Sequence, residues 1–117
     1  MDEVVLDPVV VETLRQLTPP GEPDVLAQVF NLFRQETPKR IAKIEAAWLA
    51  GDHAEVHRGA HSLKGSTGNV GARAMFAVCH DLDAQVQSKD LTRVPALVAA
   101  LATEYARVEL EIQRLLA

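Results

Sequence analysis

Aromatic residues are scarce: Phe, Trp and Tyr together supply 4% of the 117 residues. A core without them must be built from Val, Leu, Ile and Ala, and hydrophobic residues at 48% suffice for one such core. That balance suits packed helices better than a sandwich or barrel. Cysteine is nearly absent too. Cys79 stands alone, which excludes an internal disulfide, and its apolar neighbours mark it as a small core residue. Basic blocks are missing, and the formal net charge is −4, so nucleic acid finds no electrostatic footprint. No apolar run approaches the ~20 residues of a membrane span, and no charged-then-apolar signal opens the chain. Neither a G-x-x-x-x-G-K-S/T loop nor a kinase-type glycine loop occurs, so an ATP site is excluded. The expectation is a soluble cytoplasmic protein, or a cytoplasmic domain cut from a larger one, of single-domain size over residues 1–117, with no membrane or nucleic-acid partner.

What is present is helical periodicity. Asp7-Pro8 is a start signal, a capping carboxylate followed by proline at the first helical position. Val10, Leu14 and Leu17 give a short stripe, which Thr18-Pro19-Pro20-Gly21 ends. A second helix opens near Pro23 with Leu26, Val29, Phe30 and Phe33 at three- and four-residue steps. Pro38 should kink or stop it, and Thr37-Pro38 reads as a fresh cap for a third helix carrying Ile41, Ile44 and Trp48. The fourth is expected from about His53 to Gly68, burying Val56, Ala60, Leu63 and Thr67, with a break at Asn69-Val70-Gly71. The fifth carries Met75, Cys79, Leu82 and Val86 up to a polar turn at Ser88-Lys89-Asp90. The last has the cleanest seam: Leu91, Val94, Val98, Leu101, Tyr105, Val108, Ile112 and Leu115. No strand signal, repeat or low-complexity segment interrupts this order.

The fourth helix carries a second stripe. His57, His61, Lys64 and Gly68 fall together, with Gly65 at the edge, roughly 120° from the centre of the buried face at 3.6 residues per turn. His61 should therefore face outward, with Lys64 one turn on and a gap beside it at Gly65. A neutral, accessible imidazole can attack phosphorus covalently. A lysine supplies a positive point charge for phosphoryl oxygens. A glycine lets another protein's backbone approach closely. Each glycine inside a helix costs about 1 kcal/mol relative to alanine, so Gly65 within the periodic pattern calls for a reason.

The run Ala60-His61-Ser62-Leu63-Lys64-Gly65-Ser66, followed by Asn69-Val70-Gly71-Ala72, strongly resembles the signature of histidine-containing phosphotransfer (HPt) domains. The segments Phe33 to Pro38, Ala46 to Asp52 and Cys79 to Asp83 also resemble that family, so the likeness covers nearly the whole chain. It implies an all-α fold, an antiparallel up-down four-helix bundle with one or two additional N-terminal helices. It implies that His61 carries the phosphoryl group, that Lys64 assists it and that Gly65 clears space for the partner. Ser66, Gly68, Asn69 and Gly71 match the pattern with weaker individual roles. Some members use a polar residue of the next helix to hydrogen-bond the histidine; Asp83 and Gln87 both qualify. His57 matches no invariant position and either tunes His61 or is solvated.

The resemblance further implies a phosphorelay intermediate without kinase activity of its own, acting as a monomer. Its partners would be response-regulator receiver domains, a hybrid sensor histidine kinase, or both. It needs no cofactor, because the Mg²⁺ used in such transfers sits in the receiver's acidic pocket. A dry interface requires a small apolar surface near His61, drawn from the second and third helices. The opening Met1 and the end of the chain soon after its last helix favour a free-standing shuttle over the tail of a hybrid kinase. Two other readings compete. One is a non-catalytic module that binds a signalling partner without taking phosphate. The other is a metal-binding bundle using His53, His57 and His61, which recur every four residues.

Overall fold

A computed structural model describes residues 4–117; Met1, Asp2 and Glu3 lie outside the described residues. The described residues form five helices and no strand: α1 (Pro8–Gln16), α2 (Val25–Leu49), α3 (His53–Val70), α4 (Arg73–Ser88) and α5 (Val94–Leu116). Helices α2 to α5 pack in cyclic order, each against the next and α5 back against α2, which closes an antiparallel four-helix bundle. The single additional N-terminal helix, α1, leans on α2 and α3.

Local chemistry sets these boundaries. Asp7 caps α1 by accepting from Val9 N at 2.9 Å, and Asp24 caps α2 by accepting from Leu26 N at 3.0 Å. Asp52 caps α3 through Glu55 N at 3.1 Å. Helix α3 ends two residues later than the periodicity implies, because Asn69 and Val70 remain helical and Val70 is buried. Gly71 then takes a left-handed φ of 75°, and Ala72 N bonds back to Thr67 O at 3.0 Å. A side chain at Gly71 would also press on Asp7 and Val10, each with Cβ 3.0 Å from the added atom. The chain start is tied to this turn: Asp7 N donates to Gly71 O at 2.8 Å, and the Asp7 carboxylate pairs with Arg73 at 2.7 Å. The Arg73 hydrogen bond holds the Asp7 carboxyl below its ordinary value.

The core is mostly aliphatic, as the shortage of aromatics requires, with Phe30 and Phe33 buried in it. Phe30, Ile44, Val56, Leu63, Met75, Leu82, Leu101 and Ile112 are fully buried. Cys79 lies among them, and burial pushes its thiol up to about 12, so it is inert. Two expectations fail at the edges. Leu17 is exposed, and Leu91 precedes α5 while still packing on the core; Trp48 is half-buried and packs against the core.

The larger correction is at Pro38. Thr37-Pro38 does not open a new helix; α2 runs unbroken through it for 25 residues. Proline has no N–H for the carbonyl four residues back, which is that of Arg34. The Tyr105 hydroxyl, on α5, lies 3.3 Å from that carbonyl and donates to it instead. The same hydroxyl is 3.4 Å from Glu109 Oε2, so its one proton is shared between the two acceptors. Burial, then the nearby Glu109, pushes the phenol pKa up and keeps that proton in place. Arg34 in turn clamps Glu109 at 2.8 Å. Burial raises the Glu109 carboxyl, and the bonds from Arg34 and Gln113 outweigh it, leaving a net lowering. Thr37 is buried against the core and Pro38 is exposed, so the proline ring lies on the solvent side of α2.

Candidate functional site

Helix α3 packs between α2 and α4, and its two flanks differ in chemistry. Val56, Ala60, Leu63 and Thr67 form its buried face. Thr67, the one polar member, satisfies its hydroxyl on Leu63 O and Lys64 O, both at 2.9 Å. The opposite side is open, and there the His61 side chain is 70% exposed.

On the α4 flank, His57, His61 and Lys64 converge on one carboxylate. Asp83 sits on α4 with its side chain only 7% exposed. Its Oδ2 lies 3.3 Å from Lys64 Nζ and 3.6 Å from His61 Nδ1. Its Oδ1 lies 2.5 Å from His57 Nδ1. That last contact is off the direction of a regular hydrogen bond, and neither atom has another hydrogen-bond partner. The two imidazole centroids are 6.3 Å apart. A buried carboxylate is tolerated only when cations or donors face it, and three nitrogens do so here. Of the two α4 residues open from sequence, Asp83 is therefore the one beside His61. Gln87 is exposed and lines a separate groove with His53, His57 and Leu91.

The glycines of this stretch serve different ends. A side chain at Gly65 would meet nothing within 4 Å, so no internal packing demands a glycine there. At Gly68 a Cβ would touch the Phe76 ring at 3.7 Å, an ordinary contact. Asn69 is exposed and belongs to the other flank, where it lines a groove of about 610 Å³ between α1, α2 and α3. Leu14, Val29, Leu32 and Phe33 give that groove its apolar wall.

Two residues of the α2 flank escape the sequence reading. Arg40 donates to Ser62 Oγ at 2.9 Å and Ser66 Oγ at 3.1 Å, bracketing the exposed side of α3. Gly59 lets α2 and α3 meet: a Cβ there would stand 2.5 Å from Ile44 Cγ1. The signal for Arg40 was its four-residue spacing from Ile44, which sets both on one side of the helix that follows Pro38. Gly59 could be found from its place at the margin of the Val56–Leu63 face.

Residues 28–116 match the Hpt domain family. The chain belongs to that family. This Hpt chain is 38% identical over 69 residues to histidine-containing phosphotransfer protein 5 of Arabidopsis thaliana, covering 56% of its own length and 44% of the relative's. With protein 2 of the same plant, identity is 26% over 103 residues, covering 86% of this chain and 66% of that one. It therefore spans only part of these curated relatives. The fold match is fuller. Histidine-containing phosphotransfer protein B of Pseudomonas aeruginosa superposes with a TM-score of 0.87 at 26% identity, over 97% of this chain and 95% of that one.

The metal-binding arrangement does not assemble. The His53 ring stacks on Trp48 at a centroid distance of 5.6 Å. Among the described residues no group of three or more His, Cys, Asp and Glu side chains is placed to hold a metal ion.

Proposed function

We propose that this Hpt domain carries a phosphoryl group on His61 between aspartates of response-regulator receiver domains, without autokinase activity. One observation carries the reading: an imidazole on the open side of α3 has its Nδ1 facing a buried carboxylate. A carboxylate near Nδ1 favours the tautomer with hydrogen on that nitrogen, which leaves the Nε2 lone pair free to react. Nε2 attacks the phosphorus of the receiver's acyl phosphate in line. The N–P bond forms as the P–O bond to the aspartate breaks, and that carboxylate departs with the bonding pair. The ring gains positive charge while keeping its Nδ1 hydrogen, and Asp83 lies where it stabilises that charge. Return of the phosphoryl group to a second aspartate reverses each step.

Lys64 supplies a cation one turn from His61 for the phosphoryl oxygens, and Asp83 holds its ammonium at 3.3 Å until then. The open position at Gly65 gives the receiver clearance. The apolar groove beside Arg40 offers the dry surface on which it docks. No step asks this chain for a cofactor or metal; the Mg²⁺ that screens the oxygens belongs to the receiver's acidic pocket. The domain works as a monomer in the cytoplasm, and receivers or a hybrid sensor kinase are its partners. No helix among the described residues is long and apolar enough to cross a membrane, which fits that setting.

The test is label transfer from a phosphorylated receiver domain. Wild-type protein should take up acid-labile phosphate, and His61→Gln should take up none. A His61→Gln variant that is still labelled removes the assignment. A folded wild type that binds the receiver and accepts no label establishes the non-catalytic module instead.

A further inference from the structure

His57 has no part in the transfer just described, yet it makes the shortest contact of the cluster. Its Nδ1 lies 2.5 Å from Asp83 Oδ1. A carboxylate oxygen that close favours the form of His57 with hydrogen on Nδ1, since two unprotonated acceptors at that distance would repel. The rest of the carboxylate is committed elsewhere: Oδ2 receives Lys64 at 3.3 Å and faces His61 Nδ1 at 3.6 Å. Neither Oδ1 nor His57 Nδ1 has a hydrogen-bond partner to hold it otherwise. Rotation about the Asp χ2 torsion is soft, with broad wells. Besides His57, the carboxylate is held among the described residues only through Oδ2, by the single 3.3 Å bond from the Lys64 ammonium, and His57 is the contact that faces Oδ1.

We propose that His57 is a positioning residue for the transfer. It pins the Asp83 carboxylate so that Oδ2 stays against His61 Nδ1, which keeps the His61 hydrogen on Nδ1 and the Nε2 lone pair outward. The two histidines stand one turn apart on α3 and share one carboxylate through its two oxygens. The inference rests on His61 being the phosphoryl acceptor, and it concerns a residue four positions away that never touches phosphorus.

The test reads the His61 tautomer in the full, unphosphorylated chain by long-range ¹H–¹⁵N NMR, alongside label transfer from a phosphorylated receiver. The variants are His57→Leu, His57→Asn, Asp83→Asn and the double variant His57→Leu with Asp83→Asn. His57→Leu should move His61 from the Nδ1–H toward the Nε2–H form and slow transfer roughly tenfold, the low end for a supporting partner of a reactive histidine. His57→Asn places an amide N–H near the lost Nδ1 and should recover most of both readings. Asp83→Asn should shift the tautomer as His57→Leu does, and the double variant should add nothing, since both act through one contact. An unchanged His61 tautomer in His57→Leu, equal losses in His57→Leu and His57→Asn, or additive shifts in the double variant would each overturn the proposal. The two readings separate the claims. A tautomer that follows residue 57 in a protein that accepts no phosphate supports the pinning and removes the function. Normal transfer with an indifferent tautomer does the reverse.

Discussion

The two flanks of α3 are built on opposite terms. Toward α2 the helix is fitted: Gly59 is bare because Ile44 fills the space, and Arg40 ties down two hydroxyls. Toward α4 and solvent it is polar and loose: a buried carboxylate gathers two imidazoles and an ammonium, and Gly65 is bare with nothing filling the space. The same residue type, six positions apart on one helix, thus answers to packing at one site and borders open space at the other. A glycine's meaning is set by what its missing side chain would have touched.

The contrast breaks most readily at Gly59. Gly59→Leu should destabilise the fold by about 3 kcal/mol, the upper part of the range for overpacking a closed core. Thermal or urea unfolding reads it, and a midpoint equal to wild type would show that α2 and α3 are not in contact there. At Gly65 the effect should be smaller and of another kind. Gly65→Gln should slow phosphoryl transfer roughly tenfold, equivalent to about 1.4 kcal/mol. Stability should meanwhile rise by up to about 0.7 kcal/mol, because glutamine is the better helix former. An unchanged transfer rate would remove the clearance role and leave Gly65 unexplained. Arg40→Ala should do least, costing about 0.5–1 kcal/mol for two half-exposed hydrogen bonds. The His61 tautomer should not respond to it. A tautomer shift in that variant would mean that the α2 flank also governs the histidine.

Much of this was legible because helical periodicity reports burial directly. Val56, Ala60, Leu63 and Thr67 on α3, and Met75, Cys79, Leu82 and Val86 on α4, are buried as their spacing requires. The outward placement of His61 follows from the same arithmetic. Its partner did not follow, because choosing between Asp83 and Gln87 needs the rotation of α4 against α3, a tertiary quantity that no single helix encodes. Pro38 misled for a related reason. Its cost within a helix is local and readable; its compensation comes from Tyr105, 67 positions later in the numbering, and is invisible until the helices are assembled. Leu17 failed because α1 ends at Gln16 and Leu17 is its C-cap, beyond the helical turn whose spacing the stripe assumed.

The borrowed hydroxyl at Arg34 has a mechanical corollary. A proline in mid-helix commonly serves as a joint. Here the vacancy is met from a neighbouring rod, and α2 continues as one beam about 37 Å long at 1.5 Å per residue. The groove wall at Leu32 and the seam at Ile44 sit on that one beam, on either side of the plugged joint. A partner pressing on the first therefore leans on the second, and through it on α3, the helix that bears His61.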